Sequence, residues 1–348
     1  EVDGSGPLPK EVGPPSALEL LKFSILRSGP RLPGGRFVGM ETAPVAPWPH
    51  QAVVARRLIE GWPFSYLLCD EVGLGKTIEA GLAIRSLYLA GVVRRVLIAV
   101  PASLTMQWQR QMASKLLMPF ARALGGTECR HSRIFPIEEE RSSVSIYGPD
   151  LVIVSTGLMI RKERITSLDT GVPFDISLID EAHAARRKNP AGGTTANPEY
   201  GHLYRVIRDH LRQKTHCLWL ATATPMQIDP VEVCDLLELI NRVGPFQFDP
   251  TLTLQYYDIL GRLVRDKLIK HLEWEFLRRS VKSLAYQDPL LWHFIERSVI
   301  DGRIRLAVQQ WLEKGMPPRG TDGKAILKLI FTASPLSRVM LRHKRSLL

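Results

Sequence analysis

Cysteine is scarce in this sequence, and long apolar runs are absent. The 348 residues include four cysteines, none of which forms a Cys-x-x-Cys pair. No stretch of about eighteen uninterrupted apolar residues occurs, and no basic segment is followed by the short apolar segment that directs secretion. We therefore expect reduced cysteines in the core of a cytoplasmic protein that has no membrane partner.

Acidic residues are outnumbered by basic ones, and the excess is uneven. The chain has 46 Lys and Arg against 35 Asp and Glu, a formal charge of +11. Residues 245–348 contain 18 basic and 10 acidic side chains and so carry +8 of that charge. A basic surplus favours binding to polyanions, above all nucleic acids, although a solvated basic face explains the same numbers.

Proline and glycine are concentrated in residues 1–47, where one short helical pattern occurs at Ala17–Leu26. A segment of this composition buries too little apolar surface to fold alone. We predict an N-terminal arm that lies on the body of the protein.

Short apolar runs alternate with helical patterns in residues 48–244. Each run is too short for a helix and continuously apolar, as expected of a strand buried on both faces. The runs are Tyr66–Cys69, Val96–Val100, Leu151–Val154, Ile176–Ile179 and Leu218–Ala221, and the helical patterns are Gln51–Glu60, Thr77–Ala90, Ser103–Leu117, Gly157–Arg164, Gly201–Leu211 and Pro230–Ile240. This order predicts an α/β fold with a doubly wound parallel sheet and helices on both faces, followed in residues 245–348 by an α-helical basic region.

A glycine-containing turn, D-E-V-G-L-G-K-T, begins at Asp70 between the first apolar run and a helical pattern. A strand that turns sharply into a helix directs backbone N–H groups and the positive end of the helix dipole at one point, where a phosphate fits. Gly73 and Gly75 allow close approach, Lys76 would reach the β- and γ-phosphates, and Thr77 would bind Mg²⁺. The turn predicts ATP and Mg²⁺ binding, although an ordinary glycine turn with an exposed lysine explains everything except the threonine.

Two adjacent acids, Asp180 and Glu181, end the apolar run Ile176–Ile179 and are followed by Ala182 and His183. A buried strand that carries a carboxylate pair to its end suits Mg²⁺-assisted phosphoryl transfer. In this interpretation Asp180 binds the ion, and Glu181 orients and activates the attacking water. Acids that complement a helix dipole are the simpler alternative, and they do not explain the pair together with the lysine turn.

These two motifs resemble motifs I and II of superfamily 2 helicase-type ATPases of the Snf2 group, which tolerate Asp at the first position of the phosphate turn. The motif sequences are most similar to those of bacterial members, which include RNA-polymerase-associated ATPases and phage-defence helicases. Other stretches resemble further motifs in the family's order: His50-Gln51 the Q motif, Pro101 to Leu104 with Gln107-Trp108 motif Ia, Ser155-Thr156 motif Ib, and Thr222-Ala223-Thr224-Pro225 motif III.

The resemblance also implies roles for residues outside the lysine turn and the acid pair. His50 and Gln51 would contact the nucleotide, with Gln51 at the adenine edge. The nucleic-acid backbone would lie along Ser103, Gln107, Ser155 and Thr156. Coupling between the nucleotide and the nucleic acid would pass through His183, Thr222 and Thr224. Two arginines that follow His183, Arg186 and Arg187, depart from the family's usual loop, and their role stays open.

By resemblance, the chain is a RecA-like ATP-binding lobe of an ATP hydrolase that translocates on double-stranded DNA. The basic segment Ser337–Arg345 resembles the one that closes the first lobe, and the motifs of a second RecA-like lobe of the same protein are not in this sequence. We expect low ATPase activity from these residues alone, because the missing arginine finger is worth about 10³–10⁵ in rate. Alternatives are a DEAD/DEAH-type RNA helicase lobe, a non-catalytic docking scaffold and a DNA-binding module that does not depend on nucleotide.

Overall fold

The computed structural model describes residue 17 and residues 35–135, 145–300, 302, 304–316 and 321–343, with the backbone alone for residues 321–325. The helical pattern at Ala17–Leu26 lies outside these ranges except for its first residue. No helix in the described ranges has both the length and the apolarity that a membrane span requires. All four cysteines are buried and free, as the sequence predicts.

Helices and strands alternate through most of the described chain. The strands are β1 Tyr66–Leu68, β2 Val96–Val100, β3 Ala121–Ala123, β4 Cys129–Arg130, β5 Leu151–Ser155, β6 Phe174–Asp180, β7 Thr215–Ala221 and β8 Met340–Leu341. The helices are α1 Val38–Glu41, α2 Pro49–Glu60, α3 Lys76–Leu89, α4 Thr105–Leu116, α5 Thr156–Met159, α6 Lys162–Thr170, α7 His202–Asp209, α8 Val231–Ile240, α9 Pro250–Val264, α10 His271–Gln287, α11 Pro289–Ser298, α12 Arg305–Lys314, α13 Thr321–Thr332 and α14 Pro335–Val339.

One sheet contains all eight of these strands, in the order β4-β3-β5-β2-β6-β7-β1-β8. Its pairs are parallel except for β4 against β3. The five predicted strands are present, and the predicted doubly wound architecture is confirmed. Sequence patterns missed β3, β4 and β8, which are two or three residues long and lie toward the sheet edges. The helix predicted at Gly157–Arg164 is instead two helices, because Arg161 is extended (φ −75°, ψ 138°) and separates α5 from α6.

Successive strand residues face two separate apolar cores. In β2, Leu97 and Ala99 pack in one core, whereas Val96, Ile98 and Val100 pack in the other. Side chains of α2, α3 and α4 complete the second core, and α7, α8 and the helices after residue 249 complete the first. Helices therefore cover both faces, and this explains why the central strands are mainly apolar on both faces.

The described part of the N-terminal segment packs against α3. The Arg85 guanidinium, in α3, donates to the carbonyl oxygens of Gly39 and Leu116 and to Oγ1 of Thr42. Since Arg85 is 8% exposed, this one buried cation attaches α1 to the end of α4. At the other end of the chain, β8 pairs in parallel with β1 and so brings the chain back to the phosphate-turn strand.

Candidate active site

Three loops meet at the edge of the sheet that is formed by the carboxyl ends of its parallel strands, and "sheet edge" below means this one. Leu68 at the end of β1 pairs with Ala221 at the end of β7, and Asp180 at the end of β6 pairs with the same alanine. Since paired strands lie about 4.8 Å apart, the loops after β1 and β6 are about two strand spacings from each other. Burial raises the pKa of the Asp180 carboxyl, and the charge of Lys76 is near enough to oppose that rise. The lysine turn and the acid pair thus lie on the same side of the molecule.

The turn that follows β1 has the shape of an anion cradle. Gly73 and Gly75 have φ values of 85° and 93°, which favour glycine, and α3 begins directly after them at Lys76. A Cβ on Gly75 would displace the side-chain amide of Gln51, and the positive φ would strain any other residue, so both favour glycine here. The Lys76 ammonium donates to the backbone oxygen of Asp70 at 2.7 Å, and Thr77 lies half-buried in the first helical turn. These residues fit a triphosphate and its metal ion.

His50 and Gln51 support the turn from α2. Nε2 of Gln51 donates to the carbonyl oxygen of Leu74 at 2.8 Å, and Oε1 accepts from the Trp48 backbone N–H at 2.9 Å. Nε2 of His50 lies 3.0 Å from the same Leu74 oxygen. Both side chains are 6% exposed. Their present contacts set the shape of the phosphate turn, and an adenine contact by Gln51 would use the second hydrogen of its amide.

A buried acid cluster lies beneath the turn. Asp70 is 1% exposed and accepts from the backbone N–H of His343 at 2.7 Å, and Glu79 is fully buried. Ligand atoms of His50, Asp70 and Glu79 lie within 4.8 Å of one another. Because a carbonyl oxygen only accepts, Nε2 of His50 carries a proton toward Leu74 and is not free to bind a metal. His50 is therefore committed to the phosphate turn and does not complete a metal site with the two carboxyls.

Burial and the neighbouring Asp70 carboxylate raise the pKa of Glu79 from 4.5 to about 9. Neither Glu79 oxygen has a hydrogen-bond donor among the other described atoms, and a proton on Glu79 itself supplies a hydrogen bond to Asp70. Between these two pKa values the folded chain binds more protons than the unfolded chain. Its stability is therefore greatest below the lower value and falls as the pH rises toward the higher one.

Glu79→Gln should reverse this loss, since the amide keeps a donor toward Asp70 and has no proton to lose. We expect little change in the free energy of unfolding near pH 5 and a gain of a few kcal/mol near pH 8, given about 1.4 kcal/mol per pKa unit. Urea unfolding between about pH 5 and pH 8 measures the free energy of unfolding of the variant and of the unsubstituted chain. Glu128→Gln, at an exposed position, is the control. Equal pH slopes for Glu79→Gln and the unsubstituted chain would show that Glu79 is ionised when folded.

Asp180 is held at both oxygens. Its Oδ1 accepts from the Glu181 backbone N–H at 2.9 Å, and its Oδ2 accepts from the indole N–H of Trp108 at 2.8 Å. The residue is 8% exposed, so its carboxylate has a fixed orientation at the sheet edge.

Glu181 begins a contact chain toward the loop after β7. It has φ 51°, its side chain is 40% exposed, and its Oε2 lies 3.1 Å from Nδ1 of His183. The same nitrogen lies 3.2 Å from Oγ1 of Thr222, which accepts from the Thr224 backbone N–H at 3.1 Å. The residues predicted for coupling are thus joined to the predicted water-activating acid by direct contacts.

The predicted nucleic-acid contacts differ in exposure. Ser103 is exposed in the turn before α4, Gln107 is exposed in the first turn of α4, and Thr156 is half-buried after β5. Ser155 is 7% exposed, and its hydroxyl accepts from the backbone N–H of Leu158 at 3.1 Å. That bond caps α5, so helix capping already accounts for this serine.

The two arginines of unassigned role form ion pairs with α8. Arg186 pairs with Glu232, and Arg187 contacts both oxygens of Asp235, with Nη2 2.7 Å from Oδ1. The loop after the acid pair is thereby attached to α8.

Three further residues at the site, Glu79, Trp108 and His343, received no separate role from the sequence. A charged residue at position 79, in an otherwise apolar helical stretch, is a signal that could have been used. For Trp108 and His343 the sequence pattern carries no such signal, since only the fold brings them to Asp180 and Asp70.

The sequence of this chain is similar to one family model and to several known proteins. The family model described as "SNF2-related domain" matches residues 54–286. The chain is 31% identical over 195 residues to the "Uncharacterized ATP-dependent helicase YqhH" of Bacillus subtilis (strain 168), which covers 56% of this chain and 29% of that protein. It is 36% identical over 310 residues to the "RNA polymerase-associated protein RapA" of Sodalis glossinidius, which covers 85% of this chain and 28% of the relative.

Among solved structures, the "Sulfolobus solfataricus SWI2/SNF2 ATPase core in complex with dsDNA" matches with 15% identity and a TM-score of 0.44, over 85% of this chain and 66% of that one. The chain spans less than a third of the length of the curated relatives named above.

Proposed function

The chain belongs to the SNF2-related family, and from that premise we propose that it is the ATP-binding RecA-like lobe of a motor that translocates on double-stranded DNA. One observation carries the proposal. The lysine turn follows β1 and the acid pair ends β6, and both lie at the carboxyl ends of these strands, on either side of Ala221 in β7. We place the motor in the bacterial cytoplasm. From the names of the relatives we add RNA polymerase as a candidate protein partner.

In this proposal the residues of the turn bind and orient the triphosphate. Gly73, Gly75 and Lys76 hold its phosphates, and Thr77 and Asp180 hold Mg²⁺. When bound there, Mg²⁺ would supply positive charge that offsets the negative charge of the triphosphate. His50 and Gln51 keep the turn in shape for this work.

Glu181 accepts the proton of the attacking water, since it is the exposed acid next to Asp180. The change at the nucleotide site is then transmitted to the loop after β7 through His183, Thr222 and Thr224. Ser103, Gln107 and Thr156 contact the nucleic-acid backbone, with Ser155 shaping that loop through its capping bond. Nucleic-acid binding affects nucleotide binding as much as the reverse, because the same residue contacts connect the two sites.

The test is the ATPase rate of the complete protein, including its second RecA-like lobe, with duplex DNA, single-stranded DNA or single-stranded RNA. We expect duplex DNA to stimulate most, and Lys76→Ala to abolish the rate. Lys115→Ala, at an exposed lysine of α4, is the matched control. Stronger stimulation by RNA would favour an RNA helicase. Nucleic-acid binding of equal affinity with and without an ATP analogue, and no hydrolysis, would overturn the proposal.

A further inference from the structure

Helix α4 has two faces with different surroundings. Gln107 is exposed on the side predicted to contact nucleic acid, and the next residue, Trp108, is 3% exposed. The indole ring packs in the core that α3 and α4 form with the sheet, together with Met112 and Leu116. Its N–H leaves that apolar core and points to Oδ2 of Asp180.

The bond from Trp108 restricts Asp180 more than packing would. A carboxylate held at one oxygen rotates about its Cβ–Cγ bond, whereas this one is held at Oδ1 by a backbone N–H and at Oδ2 by the indole. Each oxygen keeps a free lone pair in a defined direction, as a metal ligand requires. The donor comes from a helix 72 residues away in the chain, so it is independent of the acid-pair loop.

We propose that Trp108 is a positioning residue for the metal-binding carboxylate, with its indole N–H fixing the plane of the Asp180 side chain. The inference rests on the proposed function, because it assumes that Asp180 holds Mg²⁺ during ATP hydrolysis. Trp108 touches neither substrate nor ion in this role and acts through Asp180 alone.

The experiment removes the N–H and keeps an aromatic side chain, which has the bicyclic shape of the indole only in the analogue. Trp108→Phe, and replacement of Trp108 by the benzothiophene analogue of tryptophan, are made in the complete protein. The Mg²⁺ concentration for half-maximal ATPase should rise about tenfold, the loss expected for one hydrogen bond to a charged group. At saturating Mg²⁺ the kcat should return to near the original value, with KM for ATP unchanged, and the Kd of Mn²⁺ in the presence of a non-hydrolysable ATP analogue, measured by electron paramagnetic resonance, should rise by a similar factor. If Trp108→Phe fails to fold, the isosteric analogue carries the test.

Trp219→Phe is the matched control. Trp219 is also buried, and its indole N–H donates to the Phe64 carbonyl at 3.3 Å, at the other end of the strands. This variant should lose thermal stability without a shift in Mg²⁺ requirement, which separates positioning from packing. Asp180→Asn tests the premise, since retained activity there would overturn the proposed function. An inactive Asp180→Asn together with an unchanged Mg²⁺ requirement in the analogue would overturn only the role of Trp108.

Discussion

Glu181→Gln should lower the ATPase rate of the complete protein by about 10²–10⁴-fold, the usual contribution of a general base. The amide has the size of the carboxylate and can still accept a hydrogen bond from His183, but it cannot take a proton from water. ATP binding should change little, because the phosphate turn lies on a different loop. Single-turnover hydrolysis and the affinity for a fluorescent ATP analogue measure the two effects separately.

The choice of Glu181 over its neighbour follows from exposure. Asp180 is 8% exposed with both oxygens already bonded, whereas the Glu181 side chain is 40% exposed at the sheet edge. Glu163→Gln, at an exposed acid of α6, is the control and should keep the full rate. A Glu181→Gln protein that hydrolyses ATP at the original rate would remove Glu181 from the mechanism.

Arg187→Ala should lower the free energy of unfolding by about 3–5 kcal/mol, the loss expected when one partner of a buried ion pair is removed. Arg187 is 5% exposed and Asp235 is 1% exposed, so the substitution leaves a buried carboxylate without its cation. The Arg187 backbone N–H also donates to Asp235, at 3.1 Å, and this single contact would remain. Urea denaturation of the chain measures the change.

Two further variants test this explanation. Arg94→Ala breaks an ion pair with Asp150 in which the arginine side chain is 83% exposed, and it should cost at most about 1 kcal/mol. The double variant Arg187→Ala with Asp235→Ala should lose less stability than the sum of the single variants, because no buried charge is left alone. Additive losses would mean that the pair contributes by packing and not by charge.

The interior of the sheet was predictable because burial on both faces imposes a simple pattern. Strands β1, β2, β5, β6 and β7 are apolar at nearly every position, and only a strand covered by helices on each side tolerates that. The outer strands β4 and β8, and β3 next to β4, are short, and Arg122 and Arg130 interrupt two of the three. Their pairing depends on a neighbouring strand and not on their own composition.

The sequence by itself determined the glycine turn, the carboxylate pair and their arrival at one edge, since the carboxyl ends of parallel strands share an edge. Only the tertiary structure decided how these groups are held. The side-chain donor to Asp180 and the backbone donor to the Asp70 carboxylate lie 72 and 273 positions away in the sequence, and Arg187 pairs with Asp235, 48 positions away. Local patterns specify which face of a helix is buried. Which polar atom on that face meets another depends on how whole helices pack against the sheet, and no local spacing encodes that.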